Sequence, residues 1–308
     1  MKLAKDSPST ADYNYKSLVV ITGASRGIGR AIAVAVAQRS KAGSNENSPI
    51  LRGTITLVLI ARSSLDETER AVADASPGAA VQIESHRVDL SDLESLPSAV
   101  GPIFDRLAAD GSCGSCTLMS NAGSVEPIGT VSSISVGGSS SPAGMKALRS
   151  SIDLNVTSSI WITSQFVSAF SGCNFMRVVN ISSLCAVDPF ATMSVYCAGK
   201  AARDMFHQVV AKEMAKDSGE EDGDASRTNQ HQSSTAFKTL NYAPGPCDTG
   251  MTDTLAESKK LDEDLHTYFA TSKLKETLVR PEDTAAKLVG LLVEDEYISG
   301  DHIDFYDP

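Results

Sequence analysis

Short apolar runs alternate along the chain with longer segments of helical periodicity. "SLVVIT" (17–22) predicts a buried strand, and "RGIGRAIAVAVAQRS" the helix that follows it. Further strands are predicted at "TITLVLIA" (54–61), "AVQIESHRVDL" (80–90), "CTLMSNAG" (116–123), "FMRVVNISS" (175–183), "FKTLNYAPG" (237–245) and "DHIDFYD" (301–307). Helical patterns fill most of the intervals, notably 148–171, 196–216 and 281–295. Strand runs without polar alternation belong to a parallel sheet covered on both faces. The expected fold class is therefore α/β: one Rossmann-type, doubly wound parallel sheet of about seven strands with helices on both faces.

Three polar stretches interrupt this rhythm. Residues 1–16 form a polar tail ahead of a single domain at 17–308. "KAGSNENSPILRG" (41–53) lengthens one helix-to-strand connection, and 215–235 is charged and nearly free of large apolar groups. The last two are expected as surface insertions, because they can bury little. The 308 residues are 42% apolar, enough for one sizeable core, and carry a net charge of −11. That acidity disfavours sequence-independent nucleic-acid binding. No apolar run approaches the roughly 20 residues of a membrane helix. Six cysteines in a chain of this length do not form a disulfide framework, and the N-terminal stretch lacks a signal-peptide pattern, so a reduced cytoplasmic setting is expected.

"VVITGASRGIGRAIA" places Gly23, Ser25, Arg26, Gly27, Ile28 and Gly29 between a strand and a helix. Glycines there permit a tight turn and a close backbone approach to a pyrophosphate, which the helix N-terminus favours. At the end of the second predicted strand stands Arg62, with no carboxylate before Asp66. Two guanidiniums, Arg26 and Arg62, suit a ribose 2′-phosphate better than a free hydroxyl. The expected cofactor is NADP(H).

The spacing Thr-Gly-x-x-x-Gly-x-Gly resembles the cofactor turn of short-chain dehydrogenases/reductases. "VVNISSLCAVDPFATMSVYCAGK" matches that family's Ser…Tyr-x-x-x-Lys pattern through Ser183, Tyr196 and Lys200, and Asn155 falls where the family has its fourth catalytic residue. "SNAG" resembles the family's Asn-Asn-Ala-Gly, with Ser120 in place of the first Asn and then Asn121, Ala122 and Gly123. Asp89 and Leu90 match positions that lie against adenine in the family. Pro244, Gly245 and Thr249 match its nicotinamide border. The resemblance implies a carbonyl reductase. Tyr196 would donate a proton, with its pKa lowered from about 10 by the Lys200 ammonium and an oxidised nicotinamide. Lys200 would also hold the nicotinamide ribose, Ser183 the substrate oxygen, and Asn155 a water leading to solvent.

Longer phrases, including "YCAGKAARDMF", "LNYAPGPCDTGM" and "SGDHIDFYD", resemble a branch of the family that reduces pterin side-chain carbonyls. By that resemblance Asp304 anchors the pterin ring, next to Ser183 and Tyr196 as substrate contacts. Two alternatives stay open: a reductase of another diketone or small ketone, and a non-catalytic NADP(H)-sensing protein on the same fold. The family also implies a homodimer or homotetramer, paired through the helices at 148–171 and 196–216. The five histidines show no ligand spacing and "CGSC" stands alone, so no metal site is predicted. Cys185 and Cys197 are expected as packing groups beside the catalytic residues.

Overall fold

The computed structural model describes residues 16–41, 51, 53–77, 81–111, 113–134, 142–218 and 235–308. Residues 1–15 of the predicted tail, most of the 41–53 stretch and residues 219–234 of the second insertion lie outside the described residues, and Lys16 begins the first strand.

Seven strands form one sheet in the order β3-β2-β1-β4-β5-β6-β7, with every neighbouring pair parallel. They are β1 (Lys16–Thr22), β2 (Thr54–Ala61), β3 (Val81–Arg87), β4 (Cys113–Ser120), β5 (Phe175–Ile181), β6 (Ala236–Ala243) and β7 (His302–Asp304). Ten α-helices accompany them among the described residues: α1 (Gly27–Lys41), α2 (Asp66–Ala75), α3 (Leu96–Ala109), α4 (Val131–Ile134), α5 (Pro142–Ile152), α6 (Ser158–Ala169), α7 (Ser194–Ser218), α8 (Gly250–Glu257), α9 (Glu263–Leu274) and α10 (Pro281–Glu294).

Side-chain alternation along β1 explains why its whole run is apolar. Val19 and Ile21 pack with Ile32, Val36, Leu57, Leu59, Leu288 and Leu292 on the α1/α10 face. Leu18 and Val20 pack with Val58, Ile60, Phe104, Leu118 and Phe166 on the α3/α6 face. A strand buried on both sides has no polar face to show. The rings of Phe104, Phe166 and Phe170 meet at centroid distances of 4.9–5.9 Å and lock α3 to α6.

Three expectations need correction. The predicted helix 148–171 is split: a π turn (Asp153–Thr157) separates α5 from α6 and carries Asn155. Its tertiary bonds, described below, accompany the wider turn, and helical periodicity does not register one extra residue. The last strand is three residues rather than seven. After Asp304 the chain turns back, with Asp304 N–H donating to Asp307 Oδ2 (2.8 Å) and Tyr306 N–H to Asp304 Oδ1 (2.9 Å). In addition α7 runs to Ser218, so 215–218 belongs to the helix rather than to the insertion.

Candidate active site

The strand order reverses between β1 and β4, and ligands of doubly wound sheets bind at that crevice. The crevice here is pinned shut at its base. Thr22 Oγ1 accepts from the amides of Asn121 (3.0 Å) and Ala122 (3.1 Å), while Asn121 Nδ2 donates to Thr22 O (2.9 Å) and Gly23 O (3.2 Å). Above it opens a cleft of about 290 Å³. Its walls are the glycine turn, the ends of β2 (Ala61 to Ser63), β3 (Val88 to Leu90) and β4 (Asn121 to Glu126), and α8 through Thr249, Gly250, Met251 and Thr254.

The glycines are required by close approach. A Cβ on Gly29 would lie 2.3 Å from Gly23 O, and Gly23 itself sits at φ +67°. Helix α1 has no acidic residue in its first turn, whereas α2, α9 and α10 each do. No side-chain carboxylate in its first turn therefore competes with an anion at its positive end. Arg26, Arg62 and Ser63 share the cleft wall. Arg62 is largely exposed and faces Asp89 at 3.7 Å. Burial raises the Asp89 carboxyl, but hydrogen bonds from Ser91 and the Arg62 charge outweigh it and leave the group below its usual range. A turn that only glycine can make, a helix N-terminus without acidic residues in its first turn and two guanidiniums fit an extended dinucleotide bearing phosphates. No described group of histidine, cysteine, aspartate and glutamate could hold a metal ion.

Ser183, Tyr196 and Lys200 come together beside this cleft without lining it. Ser183 lies two residues beyond β5 in extended conformation and caps a short 3₁₀ turn, its Oγ accepting from Cys185 N–H at 3.2 Å. Tyr196 and Lys200 stand one turn apart on α7, as their i, i+4 spacing requires. Lys200 Nζ is 5.5 Å from the Tyr196 ring centroid and donates to Ile181 O at 2.6 Å. The phenol donates to Met251 Sδ at 3.7 Å, a weak acceptor on a flexible chain. Met251 lines the cleft and so separates the phenol from it. Around them Val125, Ile128, Cys185, Met193, Leu255 and Leu261 form an apolar cluster, which Phe190, Leu265 and Phe269 extend. The 250–280 segment is therefore the cover over the phenol, and Asp262 N–H to Thr192 Oγ1 (2.9 Å) fastens it to the loop before α7.

The electrostatics differ from the expected lowering of the phenol. Burial pushes Tyr196 up, the Cys185 thiol adds to the rise, and the opposing cation is Arg203 rather than Lys200. Lys200 is itself pushed down to about 7, first by burial and then by the Arg203 charge. Desolvating a phenolate and an ammonium together costs more than this pair recovers.

The Asn155 side chain bonds to the loop after β4 and to α5. Its Oδ1 accepts from Ser124 N–H (2.9 Å), and Nδ2 donates to Ser124 O (2.9 Å) and Ser151 Oγ (3.2 Å). The side chain thus holds the loop after β4 in place. Of the remaining predicted residues, Gly23 to Gly29, Arg62, Asp89, Leu90, Asn121, Ala122, Gly123 and Thr249 reach the cleft or its turn, whereas Pro244, Gly245 and Asp304 do not line it. Asp304 stands at the carboxyl end of β7. Its neighbour Phe305 donates to Ala243 O (2.8 Å) and packs with Tyr306 against the Gly245 turn.

Sequence reasoning missed the buried polar face of α7. Arg203 is fully buried and donates to Asn180 Oδ1 (2.7 Å), Ala122 O (3.1 Å), Ser120 O and Ser120 Oγ (3.1 Å). Asp204 joins it. The signal was available: positions 196, 200, 203, 204 and 207 share one helix face and are all polar.

Residues 50–218 match the family model described as short chain dehydrogenase. The sepiapterin reductase of Xenopus tropicalis is 34% identical over 297 residues, covering 94% of this chain and 96% of that one. A benzil reductase of Bacillus subtilis, (S)-benzoin forming, is 26% identical over 278 residues, with 89% and 93% coverage. A solved short chain dehydrogenase/reductase from Saccharomyces cerevisiae superposes with a TM-score of 0.68 at 19% identity, over 95% of this chain and 97% of that one.

Proposed function

The chain belongs to the short-chain dehydrogenase family, oxidoreductases of CH–OH and C=O groups that use a nicotinamide dinucleotide, and from that premise we propose that it is an NADPH-dependent reductase of pterin side-chain carbonyls, the reaction that names sepiapterin reductase. The observation that carries the reading is the Ser183–Tyr196–Lys200 group, its phenol and amine buried, at the edge of a cleft suited to phosphates, in a chain alike along nearly its whole length to that reductase.

Gly23, Gly27, Gly29 and the α1 terminus would hold the pyrophosphate, Asp89 and Leu90 the adenine, and Arg26, Arg62 and Ser63 a 2′-phosphate. When bound, the dinucleotide supplies the hydride and, once oxidised, a positive ring. The chain's own residues handle the proton. Burial keeps the Tyr196 phenol protonated. It is therefore an acid in its donor form, and it releases its proton only to something as basic as a forming alkoxide. Ser183 Oγ–H donates to the same oxygen and stabilises its developing charge. Lys200 then returns a proton to the phenolate side, and a group poised near 7 exchanges protons readily at neutral pH. Met251 gives way, the carbonyl oxygen replacing its sulfur as the partner of the phenol. Asp304 accepts paired N–H bonds from the pterin's guanidine-like edge. The chain pairs with a second copy through α5 and α7, which expose Met145, Ile152, Met205 and Val209.

A second reading, reduction of another diketone, is supported by the similarity to benzil reductase. NADPH consumption with sepiapterin and with benzil, for the wild type and Asp304→Ala, separates the two. The pterin reading expects sepiapterin turnover that falls about a hundredfold in kcat/KM in the variant, the loss of paired charge-assisted bonds, with benzil turnover kept. Benzil turnover without sepiapterin turnover establishes the second reading instead.

A further inference from the structure

Asp204 is 4% exposed, and its carboxylate is divided between two structures. Oδ1 accepts from Ser182 Oγ–H (2.5 Å), just beyond β5, and from Asn180 Nδ2 (2.8 Å) near the end of that strand. Oδ2 meets His302 Nδ1 at 2.6 Å, on β7. Ser182 immediately precedes Ser183, His302 lies two residues before Asp304, and Asp204 itself follows Lys200 by one helical turn. Asn180 in turn donates to Asn241 Oδ1 (2.9 Å) on β6, so the strands between are tied in as well.

We infer that Asp204 is a positioning residue, one buried carboxylate that sets the distance between the proton-donating group at Ser183, Tyr196 and Lys200 and the distal carboxylate Asp304. The Asp304 half of this statement rests on the pterin reading; the Ser183 half does not. A ketone clamped at both ends is reduced only if its two anchors are spaced to match it. β7 is three residues long and pairs only with β6 along its edge, so backbone pairing alone holds it weakly. Lys287 Nζ of α10 donates to Phe305 O (3.0 Å) and Asp307 O beyond it, and the bond from His302 ties β7 to the catalytic helix.

The bond is strongest when His302 is protonated. Its pKa is raised, first by the hydrogen bond to Asp204, with the charges of Asp204, Asp304 and Asp307 acting in the same direction against burial. Those three carboxylates are the ionisable groups facing the ring, one from α7 and two from its own terminal segment. Protonation thus favours the clamp below the raised pKa, and the ionic part is lost as pH rises through it.

The test uses Asp204→Asn and His302→Gln with NADPH, sepiapterin and benzil. Asp204→Asn is expected to lower kcat about tenfold on whichever carbonyl is turned over, the size of one charge-assisted hydrogen bond, while NADPH Kd moves less than about twofold. His302→Gln is expected to lower the ratio of kcat/KM for sepiapterin to that for benzil about tenfold. The titrations of Tyr196 and Lys200 affect both substrates and cancel in that ratio. In the wild type the ratio should fall with rising pH, and in His302→Gln it should be flat. Should Asp204→Asn not fold, the two pH profiles of His302→Gln and wild type still decide. Superimposable profiles, or a folded Asp204→Asn with wild-type kcat, overturn the inference. A wild type that reduces benzil but not sepiapterin removes the pterin reading and the Asp304 half with it, and the kcat of Asp204→Asn on benzil then decides the rest.

Discussion

Replacing Lys200 by Met tests the electrostatics of the site without any substrate. The ammonium is buried at 4% exposure and its pKa stands at about 7 against an ordinary 10.5. Between those two values the unfolded chain holds a proton on this lysine and the folded chain does not. Stability must therefore rise with pH across the window, by about 1.36 kcal/mol per pH unit. Allowing for half-titration at the lower end, the wild type gains about 2 kcal/mol from this group between pH 7 and pH 9. Lys200→Met lacks that gain. The variant also leaves Ile181 O without its donor, which costs about 1–3 kcal/mol at every pH. The absolute difference between the two proteins therefore decides nothing, and the pH slope of the difference decides everything. Urea unfolding of both proteins across that range measures it, and titrations of other groups cancel in the subtraction. The wild type should gain on Lys200→Met as pH rises. Parallel curves would show that Lys200 keeps its ordinary pKa in the folded chain, and the proton-relay reading built on a value near 7 would go with it.

Tyr196→Phe removes the acid together with its weak bond to Met251 Sδ, so NADPH should bind within about twofold while reduction falls by about a hundredfold or more, read as kcat by NADPH absorbance. Arg62→Ala should weaken NADPH about tenfold and NADH little, as one guanidinium–phosphate pair would, in fluorescence titrations with each dinucleotide. Gly29→Ala puts a methyl 2.3 Å from Gly23 O, a backbone atom that cannot retreat; dinucleotide binding should be lost in the same titration while far-UV circular dichroism retains the sheet and helices.

The chain of residues by itself determined the sheet and the kind of chemistry. The strands of "SLVVIT" and "TITLVLIA" were legible because burial on both faces leaves no polar position, and 54–61 matches β2 at both ends. The glycine turn was legible because positive φ and a 2.3 Å approach admit no other residue. The spacing of Tyr196 and Lys200 was legible because a helix places i and i+4 on one face.

Tertiary structure decided what those residues experience. That burial outweighs attraction, raising Tyr196 and lowering Lys200, depends on the apolar cover of Leu255, Leu261 and Met251, which arrives from the far end of the chain. Asn155 reads as a helix residue until Ser124, thirty-one positions away in sequence, is seen to take both ends of its amide. Asp204 is one polar letter in "KAARDMF" until β5 and β7 close on it from either side. Local sequence fixes backbone conformation through short-range sterics and periodicity. Desolvation and hydrogen-bond partners are set by which distant segments meet, and only the folded chain brings them together.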